Sequence, residues 1–167
     1  LDALVVDWLA LPQDQDLQIE RLPAMRSGFL CRPGHPLRGR RRIGLAELSR
    51  YPIATTPLNQ ETIRQMVQSL GDKAHPEHFI TIQCEYIPSL LEAICATDAL
   101  FMGVLAGARA LLEAGRLVEL PTQPPRRVDG CYALVTLAGR TETPALEIVR
   151  ELIDECMRSD WHPARAH

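Results

Sequence analysis

Short apolar runs alternate with segments of helical periodicity along this chain. β-branched or alternating runs predict strands at Ala3–Val6, Leu17–Leu22, Ser27–Cys31, Pro52–Ala54, Phe79–Gln83, Ala99–Val104 and Cys131–Leu137. Helices are predicted between and after them, at Ile43–Ser49, from Asn59 to Leu70, from Pro88, at Ala106–Glu113 and from Pro144. Alternating strands and helices predict an α/β fold with largely parallel strands covered by helices.

Two of these helices carry clear start signals. Asn59 is a capping residue at the start of the first, and Thr143-Pro144 places a cap residue before a proline at the first helical position of the last. The last helix also shows the most regular apolar stripe in the chain. Its members are Ala145, Ile148, Val149, Leu152, Ile153 and Cys156.

Composition excludes two broad classes. With 46% apolar and 23% charged residues among 167, the chain is too hydrophobic to be fully disordered. Its longest uncharged apolar stretch, Ala99–Ala108, has ten residues, whereas a bilayer crossing needs about 20. The start at Leu1-Asp2 has neither the basic segment of a secretory signal nor an initiator Met. We therefore expect a cytoplasmic protein and a piece of a longer polypeptide.

The net charge of −3 hides an uneven distribution. Residues 1–20 hold five acids and no base, whereas residues 21–50 hold eight Arg against Glu47 alone. Such a basic segment could contact nucleic acid. The run at residues 38–42 has no interleaved aromatic residues that would stack on bases, so a solvated loop is the favoured interpretation.

No residue pattern indicates catalysis, a cofactor or a metal. The five cysteines include no C-x-x-C pair and read as reduced thiols, with a Cys84/Cys95 redox pair as an alternative. His75 and His78 flank Pro76, which breaks the helix that would align them as metal ligands. His35 lies between prolines in a turn and reads as structural. Nucleophile elbows, Walker loops and dinucleotide-binding loops are absent from the sequence. We predict that the chain is not an enzyme.

Two strand-to-helix junctions could bind an anion. Thr55, Thr56 and Pro57 precede the Asn59 helix, and Ile87, Pro88 and Ser89 begin the next. In α/β sheets, ligands bind beyond the carboxyl ends of strands, where free amides and the positive helix end favour negative charge. The alternative for each hydroxyl is a helix cap.

Several segments, in consistent order, resemble the effector-binding domain of LysR-type transcriptional regulators. Cys31–Leu37 contains the family's Gly-His-Pro-Leu turn, Ile43–Leu48 its short helix, and Tyr51–Ile53 its Tyr-Pro strand. Similar matches are Leu1–Ala3, Gly115–Leu120, Tyr132–Val135 and Pro144-Ala145, so the resemblance runs from Leu1 to about Arg158. One departure is Thr97-Asp98-Ala99, where the family usually has a Gly-x-Gly turn, and Val104 stands near a common proline.

The resemblance implies a two-lobed, periplasmic-binding-protein-like (type 2) fold with crossing hinge strands and an incomplete first lobe. It assigns residues 1–56 and 126–158 to the first lobe, 57–125 to the second, and 159–167 to a polar tail. Thr55–Pro57 and Pro124–Arg127 would be the hinges. The family's winged helix-turn-helix and linker helix, and the first two strand–helix units of the first lobe, have no counterpart here.

The implied function is sensing of a small, anionic metabolite in the cleft between the lobes. The predicted effector residues are Asp7, Trp8, Thr55, Thr56, Pro57, Ile87, Pro88, Ser89 and Phe101. Asp7 favours instead a cationic or hydroxylated ligand, because its carboxylate would repel an anion. The resemblance further implies a homodimer that uses the Asn59–Leu70 helix and Phe79–Gln83 strand, a tetramer in the full-length protein, and DNA binding through the missing segment only. A solute-binding receptor of the same architecture and a thiol redox sensor are the alternatives.

Overall fold

The computed structural model describes residues 3–11, 16–70, 75–122, 129–139 and 143–157. The strands are β1 (Ala3–Asp7), β2 (Leu17–Arg21), β3 (Ser27–Cys31), β4 (Ile53–Thr55), β5 (Ile80–Gln83), β6 (Leu100–Val104), β7 (Val118–Glu119) and β8 (Tyr132–Leu137). The α-helices are α1 (Leu45–Leu48), α2 (Gln60–Leu70), α3 (Ile87–Ala96), α4 (Arg109–Glu113) and α5 (Pro144–Met157). Short 3-10 turns span Trp8–Ala10, Pro76–His78 and Leu105–Ala108. None of the helices in these residues is long and apolar enough to cross a bilayer.

The described residues fall into two compact units. One draws on Leu1–Met25 and Gly130–His162, and the other on Arg26–Asp129. Each unit contains one sheet of the described strands together with helices. The predicted α/β class is confirmed. The expectation of largely parallel strands is wrong, because among the described strands only β4 pairs parallel with its neighbours, β5 and β6, and the other pairings are antiparallel.

The first unit is built on an antiparallel sheet in the order β1-β8-β2. Leu4 and Ile19 flank Val135 on one face, since directly opposed residues of antiparallel strands point to the same side. Arg150 of α5 forms an ion pair with Glu20 of β2, and Leu146 is the buried residue of the helix.

The outward face of α5 differs from the expected packing. Ile148 and Leu152 are 59% and 54% exposed, and Val149 is 37% exposed, although they form the most regular apolar stripe in the sequence. These side chains are exposed because the described part of this unit packs against the face of α5 that carries Leu146 and Arg150. The apolar stripe lies on another face, which the described residues do not cover.

The second unit contains a mixed sheet in the order β5-β4-β6-β3-β7. β4 pairs parallel with both β5 and β6, while β3 runs antiparallel to β6 and β7. Ile53, Leu100 and Cys31, from the three inner strands, are completely buried in its core. They share it with Leu37, Ile43, Leu48, Met66, Phe79 and Leu120.

The division into units differs from the predicted lobes. The family resemblance predicted that residues 1–56 belong to the first lobe. In the structure, however, β3 and β4 share a sheet with β6 of the second unit. Hydrogen bonding across the sheet therefore moves the first boundary to between Met25 and Arg26, and the second lies between Asp129 and Gly130. Thr55–Pro57 thus lies inside the second unit. The other predicted hinge, Pro124–Arg127, and the tail 159–167 lie outside the described residues.

Candidate functional site

Thr55 ends β4 with a buried hydroxyl group. The residue is 1% exposed, and within the part of the chain that the structure describes, Oγ1 makes no hydrogen bond. Its backbone oxygen, by contrast, accepts the Cys84 N–H at 3.1 Å. An unsatisfied buried polar group costs about 1–3 kcal/mol, so Thr55 Oγ1 is suited to a bond that a ligand would complete.

The loop after Thr55 leads into α2 and identifies the capping residue. Asn59 Oδ1 accepts the Thr62 N–H at 2.8 Å, and Asn59 O accepts the Ile63 N–H at 3.1 Å. The helix cap is therefore Asn59, as predicted, and neither Thr55 nor Thr56 has this role. Thr56 is half-buried and Pro57 is exposed.

The start of α3 lies beside the same strand end. Thr55 is paired in register with Gln83 of β5, and Cys84 follows directly. Tyr86 is the N-cap of α3 and supplies no side-chain hydrogen bond. Since Pro88 has no N–H, the amides of Ile87 and Ser89 are the donors that the first turn offers outside the helix, at its positive end. The second unit thus brings both predicted junctions to one edge of its sheet.

Phe101 is buried in β6, the strand next to β4. It is paired with Ala54 in β6 and is 2% exposed. Its ring covers Gly103, where an added Cβ would lie 2.6 Å from Cζ of the ring. Phe101 therefore contributes to the core below the predicted site.

Asp7 and Trp8 lie in the first unit, at the end of β1. Asp7 Oδ1 accepts the Leu9 N–H at 3.0 Å and caps the short 3-10 turn. The guanidinium carbon of Arg21 lies 4.1 Å from the Trp8 ring centroid. Burial, followed by the charge of Asp7, raises the pKa of the nearby Tyr132, so its phenol stays protonated at neutral pH. Sequence reasoning missed Arg21, although its position at the end of β2 was a usable signal.

His35 anchors the Gly-His-Pro-Leu turn. It is 2% exposed, its Nδ1 accepts the Leu37 N–H at 3.0 Å, and its Nε2 lies 3.1 Å from Asp98 O. Because Nδ1 is an acceptor, Nε2 carries the proton and donates to the Asp98 carbonyl. The ring also contacts Tyr51 edge-on at 4.5 Å. These contacts support the structural role predicted for His35.

Side chains stabilise the turn at residues 97–99. Thr97 Oγ1 donates to Ala93 O at 2.7 Å and accepts the Ala99 N–H at 3.2 Å. The Asp98 carboxylate accepts from Arg32 at 2.8 and 2.9 Å. With His35, these bonds join the turn to the segment that follows β3.

Cys84 and Cys95, the alternative redox pair, are both unbridged thiols in the structure. Burial raises the pKa of Cys31 to about 11, and the nearby Arg38 and Arg32 lower it only in part. This thiol is therefore protonated and unreactive at neutral pH. Among the described residues, no group of three His, Cys, Asp or Glu side chains could hold a metal ion.

The basic loop at residues 38–42 is solvent-exposed. Arg38 donates to Pro33 O at 3.0 Å, and Arg40 lies 3.5 Å from Glu47. These contacts fit the favoured interpretation of a solvated loop.

Known proteins share both sequence and fold with this chain. It is 37% identical over 169 residues to the "SDS degradation transcriptional activation protein" of a Pseudomonas species, covering 99% of this chain but 54% of that relative. The chain thus spans about half the length of this relative.

Two solved regulatory domains share the fold. One is that of MetR, a LysR family regulator from N. meningitidis, with a TM-score of 0.66, 14% identity, and coverage of 97% of this chain and 75% of that one. The other is the effector domain of the regulator AmpR of Pseudomonas aeruginosa, with a TM-score of 0.65, 19% identity, and coverage of 94% and 72%. Residues 2–158 match the LysR substrate binding domain model. The chain therefore belongs to the LysR family, as a ligand-sensing regulatory domain.

Proposed function

We propose that this domain senses a small anionic effector that bonds to Thr55 Oγ1 and to the amides at the start of α3. The observation that carries the proposal is the buried hydroxyl of Thr55, which is 1% exposed and without a hydrogen bond in the described residues. Thr56, Pro57, Pro88 and Ser89 border the same edge, and Ile87 adds an apolar contact. Asp7 and Trp8, which lie in the first unit, stay predictions from the sequence.

The name of the relative supports one class of effector. Its name refers to the degradation of SDS, an alkyl sulfate, and this chain is 37% identical to it. A sulfate or carboxylate head suits the hydroxyl and helix amides, because charge-assisted hydrogen bonds contribute about 1.5–3 kcal/mol. We therefore propose an anionic amphiphile with an aliphatic body as the effector class.

Replacing Thr55 with valine is expected to weaken the binding of octyl sulfate by about tenfold or more, the loss of one hydrogen bond to a charged group. The same change should leave the free energy of unfolding unchanged or raise it, because it removes an unpartnered hydroxyl. Calorimetric titration below the critical micelle concentration, together with urea denaturation, measures both.

Thr136→Val is the matched control, since Thr136 is a half-buried threonine of β8 in the other unit. It should bind the probe as the wild type does. Equal affinity in the Thr55 variant and the wild type would reject this site.

In the complete regulator, we propose that effector binding controls DNA binding by a winged helix-turn-helix supplied outside this chain. We propose that the domain itself has no catalytic role. A regulator of transcription acts on chromosomal DNA, so we place it in the cytoplasm. We propose regulatory-domain dimers and a tetramer of the full-length protein.

We propose that α2 and β5 form part of the dimer surface. β5 is an edge strand of its sheet, and Ile82 on it is 43% exposed. The Ile82→Glu substitution introduces a charge, and it should lower the sedimentation coefficient from that of a dimer to that of a monomer. Ile148→Glu, on the exposed side of α5, is the control. A wild-type protein that sediments only as a monomer at high concentration would contradict the interface.

A further inference from the structure

The register of β5 against β4 shifts by one residue along the two strands. Ile80 is opposite Ile53 at one end, and Gln83 is opposite Thr55 at the other. Between these two pairs, β5 therefore contains one residue more than β4. The extra residue is Thr81, which forms a β-bulge. The Thr81 hydroxyl accepts the Ile53 N–H at 3.4 Å, so a side-chain hydrogen bond joins the bulge to β4.

The bulge decides which side chain lies beside Thr55. Without the extra residue, Ile82 would be opposite Thr55, because paired residues on two strands advance together. In the structure, Ile82 is opposite Ala54 and Gln83 is opposite Thr55. Bulges are frequent next to active sites, where they redirect a side chain. The register thus brings a carboxamide, and not an apolar side chain, to the position beside the Thr55 hydroxyl.

Gln83 and Thr55 share one face of the sheet, since residues in register on neighbouring parallel strands point to the same side. Neighbouring strands lie about 4.8 Å apart, a distance that one oxyanion can bridge. Thr55 Oγ1 is buried and makes no hydrogen bond within the described residues, whereas Gln83 is exposed. The pair therefore offers a buried hydroxyl and a solvent-accessible carboxamide to the same ligand.

We infer that Gln83 is a specificity-determining residue of the effector site, and that its carboxamide N–H donates to the anionic head bound by Thr55. The inference rests on the proposed function and adds a second side-chain donor to it. A neutral carboxamide donates hydrogen bonds, whereas an ionised carboxylate of almost the same shape only accepts them. Gln83 would therefore admit a sulfate or carboxylate head that a glutamate at this position would repel.

Calorimetric titration with octyl sulfate below micelle formation tests the role of Gln83. Gln83→Leu should weaken binding by about fivefold or more, because it removes one hydrogen bond to a charged group. Gln83→Glu should bind more weakly still, since it adds a like charge to the lost donor. Salt screens this repulsion, so the difference between the two variants should narrow as the ionic strength rises. A merely structural effect of the substitutions would not show this dependence on salt.

Gln18→Leu is the matched control, because Gln18 is an exposed glutamine on β2, an edge strand of the other unit's sheet. It should bind octyl sulfate as the wild type does. Urea denaturation should show that each Gln83 variant is as stable as the wild type. Sedimentation should show an unchanged oligomeric state, which matters because β5 also belongs to the proposed dimer surface.

The outcomes separate the inference from the proposed function. If Gln83→Leu binds octyl sulfate like the wild type while Thr55→Val weakens binding, the inference about Gln83 is overturned and the proposed function stands. If the wild type does not bind octyl sulfate, both are overturned. Weaker binding in both Gln83 variants, with the glutamate variant the weaker at low salt and Gln18→Leu unchanged, supports the inference.

Discussion

Replacing His35 with alanine is expected to lower the free energy of unfolding by about 2–4 kcal/mol. The imidazole is buried, accepts the Leu37 N–H at 3.0 Å and donates to Asp98 O at 3.1 Å. Alanine leaves both backbone groups without this partner and opens a cavity beside Tyr51. Urea denaturation at neutral pH measures the loss.

Arg42→Ala is the control for this prediction, because Arg42 is exposed in the neighbouring loop and surface substitutions change stability by only about 0.5 kcal/mol. A His35 variant as stable as the Arg42 variant would show that the turn does not depend on the imidazole.

Replacing Gly103 with alanine is expected to destabilise the second unit by about 1–3 kcal/mol, through overpacking. The new Cβ would lie 2.6 Å from Cζ of Phe101, and that ring is buried at 2% exposure, so it has little room to move. Thermal and urea unfolding of the purified variant measure the change.

A second variant separates this clash from a backbone effect of alanine. In a Phe101→Leu background, Gly103→Ala should lower the free energy of unfolding by about 1 kcal/mol less than in the wild type, because the shorter side chain removes the contact. Gly107→Ala is the matched control, since its nearest neighbouring atom would be 3.8 Å away. If the losses in the free energy of unfolding of the two single variants add up in the double variant, the ring contact is not the cause.

Local signals in the sequence were sufficient for the order of elements and for several details of the site. Asn59 caps α2 as its residue type predicts, and β3 spans Ser27–Cys31 as the apolar run predicts. Thr55 falls at the end of a strand, next to a helix start, for the same local reason. Such features depend on backbone preferences within a few residues, which sequence reasoning can read.

The family resemblance also rested on local motifs, and the match of residues 2–158 to the LysR substrate binding domain confirmed it. The order of the motifs predicts the fold because the same turns and strand ends recur at the same spacing in the family. The order of the motifs does not predict which contacts each side chain makes in this chain.

Only the tertiary structure shows which distant segments of the chain contact each other. The pairing of β3 and β4 with β6 moved the unit boundary to Met25, since hydrogen bonds across a sheet join residues far apart in sequence. The stripe of α5 faces outward because the covering elements, not the periodicity, decide which side of a helix is buried. Arg21 meets Trp8 only because β2 and β1 both flank β8. The sequence by itself determined the α/β class, the element order and the polar edge at Thr55, whereas sheet pairing, burial and the charged partner of Trp8 were decided by long-range packing.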